Sequence, residues 1–148
     1  MTRRSDPALS LAIRDEQKRV KIRARTARSI IAAVCAGEAA GKAGEITACF
    51  VTDRAIRRLN ARFHSRDRAT DVLAFDIGSP REFGADIIIS TDTAAANARR
   101  FGTDPLFECY LYLIHGALHL AGYDDTTPRA RLLMRKMETL YLKRLNIG

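Results

Sequence analysis

His115-Gly116-Ala117-Leu118-His119-Leu120-Ala121-Gly122-Tyr123-Asp124-Asp125 carries two of the three histidines of the 148-residue chain. They lie four positions apart in a stretch that reads as a helix. Four residues advance a helix by about 400°, so both imidazoles leave one face, one turn apart. That spacing lets two ring nitrogens reach a single metal ion about 2.0–2.1 Å away. Phe107, Leu111, Ile114 and Leu118 fall together on a neighbouring stripe, which is the expected core face. Gly122, three residues after His119, can take positive φ, end the helix and turn the chain back towards the imidazoles. Asp125 then becomes the candidate third ligand, with Asp124, one residue nearer, as its competitor.

The pattern His-x3-His-x2-Gly-x2-Asp shares its geometry with the zincin motif, in which a helix, a glycine turn and a third ligand build a three-ligand site. A bare His-x3-His is more often a packing or capping pair, and the glycine turn and carboxylates are what tip this one towards metal. Gly116 stands where a zincin metalloprotease carries its glutamate base, which disfavours peptide hydrolysis. Structural zinc usually saturates four protein ligands, whereas three candidates occur here with no cysteine near them. That favours a catalytic site with an open position.

Outward from this stretch, Asp104-Pro105 opens the histidine helix, with Pro105 at a first-turn position where a missing N–H costs nothing. Thr127-Pro128 opens a last helix, with Leu133, Met137, Leu140 and Tyr141 as its expected apolar face. Upstream, the alternation of Leu9, Leu11 and Ile13 suggests a strand. An Ala-rich helix is expected from about Val20 to Ala40, ended by Gly41–Gly44. Ile46–Val51 reads as a strand, and Asp53 as the N-cap of a helix through Leu59 and Phe63. Asp71–Phe75 and Asp86–Ser90 read as strands with a Gly78-Ser79-Pro80 turn between them, followed by a helix over Thr91–Arg100. The expected fold is a small zincin-like α+β single domain over residues 1–148, a few-stranded mixed sheet covered by helices.

Hydrophobic residues make up 47% of the chain, enough to bury a core without metal or disulfide staples. No apolar run approaches the roughly 18 residues of a membrane span. The basic start is soon broken by Arg14, Asp15 and Glu16, unlike a signal peptide, so a cytoplasmic location is expected. Cys35, Cys49 and Cys109 are odd in number and form no CxxC, which suits core thiols in a reducing compartment. Net charge is +8, and the excess is clustered. Residues 1–30 hold nine basic and three acidic groups, and residues 54–68 and 129–144 each hold six and one. Such clusters are commonly solvated helix faces. A balance this basic also suits an anionic partner, of which nucleic acid is the common one.

The stretch His115–Asp125 resembles the HGxLHLxGYDH signature of the YbeY family, metal-dependent endoribonucleases of ribosomal RNA maturation. Leu59-Asn60 followed by Thr70-Asp71-Val72-Leu73-Ala74-Phe75 resembles its LN…T(D/N)VLSF segment. Asp86-Ile87-Ile88-Ile89-Ser90 resembles its GDIVIS strand, and Met137-Glu138 its terminal M…E pattern. The resemblance implies one zinc ion held by His115, His119 and Asp125 and cleavage of single-stranded RNA. It also implies action at the 3′ end of small-subunit ribosomal RNA and in ribosome quality control, with the small ribosomal subunit as partner. Three positions depart from the family pattern. Asp125 replaces the third histidine. His64, flanked by Arg62 and Arg66, replaces an arginine after the LNxx(Y/F) element, so His64 and Arg66 are the candidates for its phosphate-binding role in catalysis. Ala85 replaces the glycine before the strand aspartate. The segment Leu59–Arg68 is accordingly expected beside the metal site. The alternative function is a ribosome-associated assembly factor whose metal is structural.

Overall fold

The computed structural model describes residues 10–38, 44–64, 72–76 and 83–148. Their order is β1 (Ser10–Asp15), α1 (Ala24–Gly37), β2 (Gly44–Val51), α2 (Asp53–His64), β3 (Val72–Asp76), β4 (Phe83–Ser90), α3 (Thr91–Phe101), α4 (Pro105–Leu120) and α5 (Pro128–Arg144). The four strands form one mixed sheet, β1-β2-β4-β3. β1, β2 and β4 run parallel, and β3 closes the far edge antiparallel to β4. Asp71 and the turn at Gly78–Pro80 lie outside the described residues.

Alternation along the strands assigns the two faces of the sheet. Ile46, Ala48 and Phe50 of β2 and Ala85, Ile87 and Ile89 of β4 face α1 and α4 in the main core. Cys49, Val51 and Ile88 point the other way and meet Ala55, Ile56 and Leu59 of α2. The unbroken Ile87-Ile88-Ile89 run is what a strand covered on both faces requires.

α4 lies at the centre of the molecule. The sequence pattern predicted one buried stripe on this helix, but nearly its whole circumference is covered, with Tyr110, Tyr112, Leu113, Gly116 and Ala117 buried beside Ile114 and Leu118. Neighbours on every side, namely β3, β4, α1, α3 and α5, explain the difference. Gly116 sets how closely α4 approaches the sheet. A Cβ there would stand 2.6 Å from Ile87 Cγ2 and 3.4 Å from Val72 Cγ2. The site of a zincin's glutamate is therefore filled from below by a strand.

Several boundaries differ from expectation for local reasons. Residues 17–20 form a turn in which the Gln17 amide accepts from the Val20 N–H and donates to the Val20 carbonyl, so α1 starts only at Ala24. α1 ends at Gly37, before the glycines expected to stop it. Gly41 lies outside the described residues and Gly44 already opens β2. Thr52, not Asp53, caps α2, accepting from the Ala55 N–H at 3.2 Å. Asp53 instead accepts from the hydroxyls of Ser90 and Thr93, tying α2 to the start of α3. On α5 Tyr141 is buried and Met137 packs against the core as expected, but Leu133 and Leu140 are exposed and Met134 is buried instead. Tyr141 seats the helix, because its hydroxyl reaches α1 where only Gly37 leaves room. The caps of the last two helices, Asp104 and Thr127, stand as expected.

Two measurements test this packing. Gly116→Ala overpacks the contact with Ile87 and should lower stability by about 1–3 kcal/mol, seen as a lower urea midpoint with unchanged slope. Among the thiols, burial, then Glu108, Asp104 and Asp15, pushes Cys109 up to about 12. Burial likewise raises Cys35, and burial with Asp86 raises Cys49. Because the thiolate is the reacting form, a thiol reagent near pH 8 should label the native protein slowly and all three cysteines rapidly in denaturant.

Candidate metal centre

Pro105 and Asp104 start α4, and the Asp104 carboxylate accepts from the Leu106 N–H at 2.8 Å. Gly122, at φ +107°, ends the last turn and sends the chain across the helix terminus. The result brings His115, His119 and Asp125 together. The two Nε2 atoms lie 2.9 Å apart, and Asp125 Oδ2 is 3.7 Å from His115 Nε2 and 3.9 Å from His119 Nε2. Asp124, the competing candidate, turns away. Its Oδ1 accepts from the N–H and hydroxyl of Thr126 at 3.2 and 3.1 Å.

The outer ring atoms decide which protons the cluster carries. His119 Nδ1 is 2.9 Å from the Tyr123 carbonyl, which can only accept, so Nδ1 holds the proton and Nε2 offers a lone pair. His115 Nδ1 faces Glu138 Oε1 at 3.5 Å, which favours the same tautomer. Two lone pairs at 2.9 Å cannot hydrogen-bond to each other, and a carboxylate oxygen beside them adds a third donor of electrons. This arrangement suits a cation. Donors about 2 Å from a common centre must be no more than about 4 Å apart, and all three pairs meet that limit. Two nitrogens and one oxygen form a donor set of the kind zinc takes. Among the described residues it is the one group of three or more such side chains able to hold a metal ion. The side chains are 20%, 29% and 45% exposed in the order His115, His119, Asp125, so the carboxylate side is open. A separate hollow of about 390 Å³ lies along the α4–α5 connection, lined by Glu38, Gly122, Tyr123, Asp124 and Leu133 and by none of the three candidate ligands.

The supporting groups come from distant parts of the chain. Tyr123, whose carbonyl orients His119, donates its hydroxyl to Glu38 at 3.3 Å, and Tyr141 donates to the same carboxylate at 3.1 Å. Burial, with the Glu38 carboxylate beside them, raises both phenols above their usual value. The sequence offered Glu138 only as part of a terminal motif, and its place behind His115 is new. Glu38 had no sequence signal at all. The expected flank is only partly described. Leu59–Arg62 stands on α2, across the sheet from α4, and the alternation of β4 between its two faces is the reason. His64 ends α2, but its side chain, like the whole of Arg66, lies outside the described residues.

Fold and centre together define a class: a small α+β domain whose central helix carries a His-His-Asp group able to hold a metal ion. Comparison with known proteins narrows it. The family model described as Endoribonuclease YbeY matches residues 12–146. A Chlorobaculum parvum protein named Endoribonuclease YbeY is 43% identical over 109 residues, covering 74% of this chain and 77% of its own. One of the same name from Anaeromyxobacter dehalogenans is 43% identical over 120 residues, covering 78% and 62%. The solution structure of TM1509 from Thermotoga maritima superposes with a TM-score of 0.65 at 25% identity, covering 91% of this chain and 88% of that one. The chain belongs to the YbeY family and, with it, to the endoribonucleases. No helix among the described residues is long and apolar enough to cross a membrane.

The roles of ligand and brace are separable by mutation. Asp125→Ala should release metal far more readily than the parent protein, whereas Asp125→His should bind within about tenfold of it; Glu138→Gln should weaken binding by about 10–100-fold. Equilibrium dialysis against a chelator series reads all three, and equal retention by Asp125→Ala would show that Asp125 is no ligand.

Proposed function

We propose that this protein cleaves single-stranded RNA at a zinc ion held by His115, His119 and Asp125. Its substrate on this reading is the 3′ end of small-subunit ribosomal RNA, cut during ribosome maturation and quality control in the cytoplasm, with the small ribosomal subunit as partner. The observation that carries the proposal is the meeting of two imidazole lone pairs and a carboxylate oxygen on the open side of α4. When bound, the ion supplies Lewis acidity towards a phosphoryl oxygen.

The remaining work falls to the chain itself. Tyr123 and Glu138 hold the two imidazoles in the tautomer that leaves Nε2 free to bind. His64 and Arg66 are assigned to the phosphate, where positive donors offset the charge that builds on its oxygens in the transition state. Gly116 faces the sheet, so the helix brings no carboxylate base, as a metalloprotease would need. The three donors found among the described residues would leave a zinc ion one position for substrate, which speaks for catalysis over a purely structural ion.

Cutting of a single-stranded RNA, after chelator treatment and with zinc restored, tests the proposal. The parent protein should cut only with metal, peptides should survive, and His115→Ala, prepared identically, should fall to background. The fold of His115→Ala should persist, because the buried neighbours Ile114 and Leu118 are untouched. Equal rates for parent and variant would overturn the assignment of this centre to cleavage.

A further inference from the structure

The outer surface of α2 gathers four arginines that the metal centre does not use. Arg54, Arg57, Arg58 and Arg62 are all exposed and line one shallow hollow of about 660 Å³ together with Ala61. Their numbering places them on one face of the helix, with Arg54, Arg58 and Arg62 each about 6 Å further along the axis. The opposite face of α2, Ile56 and Leu59, is what docks on Cys49, Val51 and Ile88. The arginines therefore point away from the sheet, on the side remote from α4. Asp53, the one acidic residue of α2, is occupied by the hydroxyls of Ser90 and Thr93. Asp92 close by is occupied by Arg19 and by the Asp53 N–H.

We infer that this face of α2 is a second RNA-binding surface, which grips phosphates of a strand extending beyond the His-His-Asp centre and passing round the sheet. The inference rests on RNA being the substrate, as proposed above. Guanidinium groups pair with phosphate oxygens through two parallel N–H donors, and a row of them repeating along a helix suits a polyanion better than a single small anion. An anionic membrane would offer similar charge. A membrane-lying helix, however, carries large apolar side chains beside its basic ones. The large exposed apolar residues among those described are Phe101, Leu132, Leu133 and Leu140, none of them on α2. A strand held at two places would bind more tightly than either contact alone allows, so long RNAs would be favoured over short ones.

The test compares the parent with Arg54→Gln/Arg58→Gln on two probes. One is a nuclease-resistant 2′-O-methyl single strand of several site lengths. The other is a cleavable RNA of about four nucleotides, the lower end of what one single-strand groove holds. For the long strand, affinity should fall several-fold and the slope of log affinity against log salt should flatten by about 1.4, two phosphates at about 0.7 each. Cutting of the short RNA should be unchanged. Arg54→Lys/Arg58→Lys, which keeps the charge, should keep most of the slope, separating charge from any damage to the helix. An unchanged slope in the Gln variant overturns the inference, and with the short RNA still cut it leaves the nuclease proposal standing. Failure of the parent, with zinc restored, to cut a long single-stranded RNA as well as the short one overturns the nuclease proposal instead, and the slope is read independently of it. Binding to phosphatidylserine vesicles that the Gln variant loses, with the RNA slope unchanged, assigns the face to lipid and overturns the inference.

Discussion

The close contact between Gly116 and Ile87 is the constraint on which the rest of the centre depends. It lets α4 lie against the sheet with no side chain between them at that point. With Gly116 turned inward, His115 and His119 fall on an adjacent face, half-buried, where α5 and the returning chain can meet them. Any side chain at position 116 would lift the helix and move both imidazoles away from Glu138, which stands on a different helix. The same contact separates this centre from protease chemistry. A residue that must be glycine for packing cannot also be a glutamate base. The fold thus settles part of the reaction class before any substrate is considered.

A second layer keeps the imidazoles in register. Each ring faces an acceptor at its outer nitrogen from outside its own turn: the Tyr123 carbonyl bonds to His119 at 2.9 Å, and the Glu138 carboxylate stands 3.5 Å from His115. Tyr123 is itself anchored through its hydroxyl to Glu38 at the end of α1, where Tyr141 also ends. The end of α1, the α4–α5 connection and α5 thereby share one carboxylate, and the connection is held at its tyrosine as well as at its glycine. Repulsion between two close lone pairs is tolerable only in a frame fixed this firmly. The metal-ready geometry is a property of the whole helical layer, and the eleven-residue motif supplies only its centre.

What the sequence disclosed follows the range of each interaction. The His-x3-His spacing, the Gly122 turn and the helix starts at Asp104-Pro105 and Thr127-Pro128 are set by residues within a few positions of one another, and the expected and observed geometry agree. Between Asp125 and its neighbour Asp124 the pattern left a competitor, and the approach of Asp125 to both imidazoles, with the Thr126 contacts that occupy Asp124, decides for Asp125. Long-range determinants stayed hidden. The seat of α5 turns on Tyr141 finding the space over Gly37, more than a hundred residues away in sequence, and the helical spacing that placed Met137 and Tyr141 inward also placed there Leu133 and Leu140, which are exposed. The Asp53 carboxylate resembled a helix cap, and its engagement by Ser90 and Thr93 depends on β2 and β4 being neighbours. Glu38 had no local partner by which to announce itself.

The shared carboxylate of Glu38 also bears on the order in which the molecule is completed. Its two tyrosine partners lie 85 and 103 residues further along the chain. Closing loops of that length is an entropic cost that local helix formation does not meet. The histidine pair can form as soon as α4 does, but its outer nitrogens find their acceptors only when the α4–α5 connection and α5 itself have docked. During synthesis α5 is the last described element to emerge. An ion held by the bare helix pair would be exchangeable, whereas one held after α5 docks is retained by the folded state and stabilises it in turn. Firm retention of an ion would thus report that α5 has docked, and a protein cut short before Glu138 would carry the motif without the acceptor behind His115 and hold an ion more weakly.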